Sequence, residues 1–126
     1  MRTMERLYIM IKTIFKKWGT EEWIVNDEYC GKVLTFLKGM TSSIHYHKNK
    51  KETFFIILGG AYIESSPVKD FMKNRKFVKR VTLHKWMSFT LPPFTVHRIT
   101  CFRSRSVIVE ISNHHKNSDV YRINEK

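Results

Sequence analysis

Gly39-Met-Thr-Ser-Ser-Ile-His45-Tyr-His47-Lys-Asn-Lys-Lys-Glu52-Thr-Phe-Phe-Ile-Ile-Leu-Gly59 contains two β-prone runs around one polar turn. Ser43–His47 runs into Lys48-Asn49-Lys50-Lys51, and Thr53–Leu58 ends at Gly59-Gly60. Successive side chains on a strand point to opposite faces, so His45 and His47 project from the same one. Glu52 lies just past the turn, where a hairpin brings its carboxylate beside the two imidazoles. Two nitrogens and one oxygen on a rigid strand pair give three ligands facing one cation. His97 is available as a fourth: it sits early in an apolar run, after Leu91-Pro92-Pro93-Phe94, where a proline-fixed turn can aim it. An isolated histidine is more often a surface or satisfied core residue, and His84 reads that way. His114 and His115 sit in a polar stretch and read as exposed. For His45, His47, Glu52 and His97 together the metal reading wins, because this spacing plus a later proline-turn-histidine is hard to obtain by chance.

The same rhythm continues outward. Glu22–Val25 precedes Asn26-Asp27, Gly31–Leu37 leads to Lys38-Gly39, and Ala61–Glu64 ends at Ser65-Ser66-Pro67. Phe77–Leu83, Trp86–Leu91, Val96–Phe102 and Ser106–Ile111 complete the set. Short, regularly spaced strands with no convincing helix after residue 18 argue an all-β sandwich or barrel. Residues 1–17 fit both helical and strand spacing. The expected organisation is an N-terminal segment, 1–17, and one barrel domain, 18–126. The apolar stretch Leu7–Phe15 has no obvious place inside a minimal barrel, so it is expected to contact a second copy in a homodimer. The polar tail from Asn113 is expected to wrap back through Val120-Tyr121-Arg122-Ile123.

The 126 residues are 42% hydrophobic and 13% aromatic, too rich for a disordered chain. Cys30 and Cys101 form neither a disulfide framework nor a metal knuckle, which makes a reducing cytoplasm the expected location. The longest apolar run near the start, Leu7–Ile11, ends at Lys12 and is too short to span a bilayer. No signal peptide is read there. Lysine and arginine number 23 against 11 acids, a formal charge of +12 that attracts anions without choosing among them. Basic residues are densest between Lys69 and Lys85, which reads first as a solvated loop or lysine-protected edge strand and second as an anion-binding segment. No helix-turn-helix, zinc-finger or aromatic RNA-binding signature is present, so the expected partner is a small molecule rather than nucleic acid.

Gly39-x5-His45-x-His47-x4-Glu52-x6-Gly59 resembles the first signature of the cupin superfamily, and Trp86-x5-Pro92-x-Phe94-x2-His97 resembles the second. The resemblance implies a small double-stranded β-helix, the cupin-type jelly-roll barrel. In it His45, His47, Glu52 and His97 would bind one divalent metal ion: Zn, Mn, Fe, Ni or Co. Glycine is usual where Trp86 and Phe94 stand, and Phe94 implies a reshaped or strained turn there. Lys17-Trp18-Gly19-Thr20-Glu21-Glu22-Trp23 is similar to the Pro-Trp-Gly-x-Glu opening of one cupin subgroup, with Lys17 in place of proline. That subgroup holds the C-terminal domain of type II mannose-6-phosphate isomerases and short stand-alone relatives. Val109-Glu110-Ile111-Ser112 and Asp119-Val120-Tyr121-Arg122-Ile123 are similar to its closing pattern.

These likenesses imply a metal-dependent isomerase of sugars or sugar phosphates. Aldose–ketose isomerisation needs a base to move a proton between neighbouring carbons, and Glu110 is the candidate, with Glu21 and Glu22 behind it. Glu110 alternates with Ile108 and Ser112, so its facing is not readable, and a structural role stands equal to a catalytic one. Arg122 is the candidate phosphate grip, against a surface ion pair with Asp119 or Glu125. Trp18 and Trp23 can stack on a sugar, against core or dimer packing. Two other classes stay open: an iron-dependent dioxygenase using the same ligands, and a non-catalytic metal- or sugar-binding module.

Overall fold

A computed structural model of the chain describes residues 10–123. The hydrophobic alternation becomes eleven strands: β1 (Lys12–Lys16), β2 (Gly19–Asn26), β3 (Tyr29–Leu37), β4 (His45–Tyr46), β5 (Glu52–Leu58), β6 (Gly60–Pro67), β7 (Lys79–His84), β8 (Ser88–Leu91), β9 (Thr95–Cys101), β10 (Arg105–Asn113) and β11 (Tyr121–Arg122). They form a six-stranded sheet in the order β1-β2-β3-β10-β5-β8 and a five-stranded sheet in the order β11-β4-β9-β6-β7, with antiparallel pairing throughout. This is the all-β architecture that the strand rhythm predicts, in the jelly-roll form that the resemblance implies.

The inner faces grade from apolar to charged. On β3 the buried row is Cys30, Lys32, Leu34 and Phe36; on β10 it is Ser106, Ile108, Glu110 and Ser112; on β5 it is Glu52, Phe54 and Ile56. Phe36, Phe54, Ile56 and Ile108 pack against Ile63, Leu83 and Ile99 of the other sheet, with Trp18 beside them. Removing these side chains from water, at roughly 25 cal/mol per Å2 of apolar surface, holds the sheets together. The opposite end of the same rows carries Lys32, Glu110 and Glu52, so the core closes one end of the barrel and leaves a polar interior at the other.

Residues that fitted both spacings resolve in part: β1 is a strand paired with β2, while Leu7, Tyr8 and Ile9 of the expected dimer-contact stretch lie outside the described residues. One helix departs from the strand-only expectation after residue 18. It is α1 (Val68–Asn74), which buries Phe71 against Ile44 and Val96 and ends at Arg75 in a left-handed conformation. Its lysines mask in the sequence the apolar anchor, Phe71, beside which Val68 also packs. The rest of the basic segment runs into β7, the edge of the five-stranded sheet, with Lys79 and Arg80 exposed. The expected tail return is present as β11, on which Tyr121 and Arg122 pair with Tyr46 and His45.

Candidate metal centre

Neighbouring strands bring three imidazoles together. His45 and His47 flank Tyr46 in and just after β4, and His45 lies directly opposite His97 of β9. Each ring has its Nδ1 at a backbone carbonyl: His45 at Ser43 O, 3.0 Å; His47 at Asp119 O, 3.0 Å; His97 at Thr95 O, 2.9 Å. A carbonyl only accepts, so Nδ1 carries a proton in each ring and Nε2 is the atom left for a metal; on His97 that nitrogen faces the Glu52 carboxylate, and it gives up any proton shared there when it takes a cation. The three histidines place one ring nitrogen each within 4.8 Å of one another, a group able to hold a metal ion. Glu52 comes from the start of β5; its Oε2 lies 3.1 Å from His97 Nε2 and 3.5 Å from His47 Nε2. Three imidazoles oriented through their Nδ1 atoms and one carboxylate match what a borderline divalent cation takes.

Electrostatics follow from the same proximity. Burial pushes His45 well below its ordinary pKa, with His97 adding to the effect. Burial also lowers His47, although Glu52 pulls the other way. His97 is raised, because the Glu52 carboxylate outweighs burial. For Glu52 burial favours the neutral acid, but His97, Lys50 and His47 overcome it and hold the carboxyl well below its usual range.

A second charged group lies next to the first. Lys50, read in sequence as part of a polar turn, is 3% exposed; its Nζ is 2.6 Å from Glu110 Oε2, 3.6 Å from Glu52 Oε1 and 3.1 Å from His115 Nδ1. Glu110, whose facing was open, therefore points inward. Burial raises its pKa, Glu52 adds to this, and Lys50 and Lys32 oppose it. His115 corrects the exposed reading: it is buried, with Trp23 edge-on at 5.2 Å. Burial first, then the ammonium groups of Lys50 and Lys32, bring His115 down to about 4. The signal that could have found Lys50 and Lys32 was parity. Each falls in phase with inward residues, Lys50 with Glu52 and Lys32 with Leu34 and Phe36.

A cavity of about 720 Å3 joins the two groups, and Trp18, Glu21, Trp23 and Arg122 also line it. Arg122 is exposed at the position opposite His45. The Asp119 carboxylate accepts the backbone N–H groups of Lys48 and Asn49, 2.9 and 3.2 Å away, and Glu125 lies outside the described residues. Trp18 is buried and stacks on Phe36 with centroids 4.0 Å apart, so one face of its ring belongs to the core. Glu21 is engaged by Trp23 Nε1 at 3.0 Å and by Lys32 and Lys16, whereas His84 and His114 stand apart from the cavity lining. The two expected glycine positions keep a glycine-like backbone: Trp86 has φ 73° and Phe94 φ 61°. Left-handed conformation at a residue with a Cβ stores about 1–2 kcal/mol. Phe94 retains the turn through its N–H, which donates to His47 O at 2.7 Å and so ties the proline turn to the histidine strand.

Neither a protein-family model nor a curated protein matches the chain. Solved structures do. The capsular polysaccharide assembling protein CapF from Staphylococcus aureus superposes with a TM-score of 0.74 at 16% identity, over 93% of this chain and 35% of that one. Bacillus subtilis oxalate decarboxylase OxdC gives a TM-score of 0.75 at 12% identity, over 90% of this chain and 30% of that one. KdgF from Halomonas sp. gives 0.69 at 11%, over 87% of this chain and 92% of that one. The chain thus spans about a third of CapF and of the decarboxylase but nearly the whole of KdgF. At these identities the likeness is one of fold, and the fold is the cupin jelly roll.

Proposed function

We propose that the chain is a metal-dependent isomerase acting on a sugar or sugar phosphate. The observation that carries the reading is the meeting, in one cavity, of three histidines with inward Nε2 atoms, the Glu52 carboxylate, and a separate carboxylate, Glu110. His45, His47, Glu52 and His97 would hold one divalent ion, of which Zn, Mn, Fe, Ni and Co all suit the donor set. When bound, such an ion supplies Lewis acidity toward a carbonyl or hydroxyl oxygen. Glu110 is the group that takes a proton from C2 of the sugar and returns it to C1. Lys50 fixes that carboxylate in place, and Arg122 binds the phosphate at the cavity mouth. Trp18 offers its remaining face to the sugar ring.

The test is deuterium wash-in at C2 of hexose and pentose phosphates, with protein reconstituted with each of the five metals. Exchange is expected with at least one metal. Glu110→Gln should keep the metal and lose exchange by about 100-fold or more, because the amide cannot accept the proton. Arg122→Ala should mainly raise KM. A second reading, a non-catalytic metal- or sugar-binding module, is favoured by one contact: the 2.6 Å ion pair with Lys50 occupies Glu110. Absence of exchange with every metal selects that module or the iron-dependent dioxygenase.

The working unit we propose is a homodimer. Phe15, Ile24, Leu37 and Ile111, all on strands of the six-stranded sheet, are 53–81% exposed. A second copy would remove that apolar surface from water and cover the β1 edge. Sedimentation at micromolar concentration should show a dimer; a monomer alone refutes the pairing. Among the described residues no helix is long and apolar enough to cross a membrane.

A further inference from the structure

Cationic groups are not balanced evenly around the cavity. Lys12, Lys16, Lys17, Lys32, Lys50 and Arg122 line it, and they outnumber the acids Glu21, Glu52 and Glu110. Lys50 is compensated by Glu110 at 2.6 Å. Lys32 is not compensated in the same way. It lies on the inner row of β3 and is 2% exposed, yet its ion pair, Glu21 Oε1, is 3.5 Å away. That oxygen already accepts the Trp23 indole N–H at 3.0 Å, and the other oxygen of Glu21 faces Lys16 at 3.9 Å. Glu110 stands opposite Lys32 in the strand register but is turned to Lys50. The remaining support is the face of Trp23, whose ring centroid is 4.3 Å from Lys32 Nζ and 4.9 Å from Lys12 Nζ. A buried ammonium whose one contacting carboxylate is long and shared, and whose other neighbouring carboxylate, Glu110, is held by Lys50, carries positive charge that a further anion would complement.

We infer that Lys32, with Lys16 beside it and Trp23 beneath it, is an oxyanion subsite that takes the phosphate or carboxylate group of a small ligand in the barrel. The inference rests on the reading of this cavity as a small-molecule site. It deepens that reading by assigning part of the ligand's charge to the wall built from β1, β2 and β3, in addition to Arg122 on β11. An ammonium is a compact point charge and does not by itself distinguish tetrahedral phosphate from planar carboxylate. Trp23, held between two ammonium groups, gives the subsite a rigid floor and an optical reporter.

Calorimetric titration of the chelator-treated full chain at low salt, first with inorganic phosphate and then with acetate, tests this without any bound metal. Saturable one-site binding is expected for at least one of the two ions, accompanied by a change in indole fluorescence, and the preferred ion names the ligand's group. Lys32→Gln should weaken that binding at least tenfold, the scale of one lost charge-assisted hydrogen bond. Lys16→Gln, at a partly exposed position, should weaken it several-fold and carries the test if the Lys32 variant fails to fold. Lys79→Gln, on the edge of the other sheet, should leave it unchanged. Equal binding in wild type, Lys32→Gln and Lys16→Gln overturns the subsite, as does equal weakening by Lys79→Gln, which marks a diffuse response to net charge. Failure of metal binding or of C2 exchange would sink the isomerase reading while leaving these anion titrations to stand on their own.

Discussion

His97 has its Nδ1 at Thr95 O and its Nε2 3.1 Å from the Glu52 carboxylate, so a single ring links two sheets at the candidate centre. Replacing it with alanine removes one donor and its ring contact with Phe54, centroids 6.3 Å apart, but leaves Phe36, Ile56 and Ile108 packed at the apolar end of the barrel. His97→Ala should therefore lower zinc affinity in equilibrium dialysis by at least about 100-fold, the upper scale on which even outer-sphere partners of metal ligands act. Its circular-dichroism spectrum should stay that of a β protein. Unchanged zinc binding would remove His97 from the site. The identity of these histidines was legible because their positions are local facts, set by a two-residue period and a proline turn. Lys50, Lys32 and His115 were not legible in the same way. A lysine between Asn49 and Lys51 looks like any solvated turn residue until Glu110, from a distant strand, supplies the charge that makes its burial tolerable.

At the scale of elements, the tight turn that carries the chain from β5 in one sheet to β6 in the other is made at Gly59, which has φ +77°. A Cβ there would sit 2.2 Å from the backbone oxygen of Arg105 and 2.6 Å from Ser106 Oγ. The Ser106 hydroxyl is itself committed, donating to Gly60 O at 2.7 Å, so it cannot retreat freely. Gly59→Ala should cost about 2–4 kcal/mol and lower the thermal midpoint by roughly 10 °C. Phe94→Gly, at φ 61°, should change stability by less than about 1 kcal/mol, since relief of left-handed strain offsets the added freedom of the unfolded chain. A Gly59→Ala midpoint within 2–3 °C of wild type would show that the turn yields. Strands were readable wherever alternation persisted for several residues, as in β3, β5, β9 and β10. β4 is only two residues long, and its place beside β9 is fixed by one pairing, His45 with His97. α1 escaped notice because its helical signal is one phenylalanine among lysines, and its partners Ile44 and Val96 are remote in sequence.

For the molecule as a whole, charge density in the polar end of the barrel sets how stability responds to pH. His115 is buried there beside Lys50 and within reach of Lys32, and its pKa in the folded chain falls to about 4 from an ordinary 6.5. Folding thus favours the neutral ring, and below pH 6.5 the unfolded chain takes up a proton that the folded chain refuses until about pH 4. The sign follows directly: the stability this histidine contributes is complete above pH 6.5 and drains away as pH falls toward 4. Glu21 and Glu52, whose carboxyls are held low, add to the loss only at the acid end of that window, where the unfolded carboxyls begin to take up protons, and Glu110, raised by burial, works in the opposite direction. Thermal midpoints measured from pH 7.5 down to pH 4 should therefore decline in wild type. In His115→Gln, which cannot take up the proton, the decline should be shallower, so that the gap between the two proteins narrows steadily with acid. Parallel profiles would mean that the imidazole is solvated well enough to titrate normally, and that the buried lysines do not reach it.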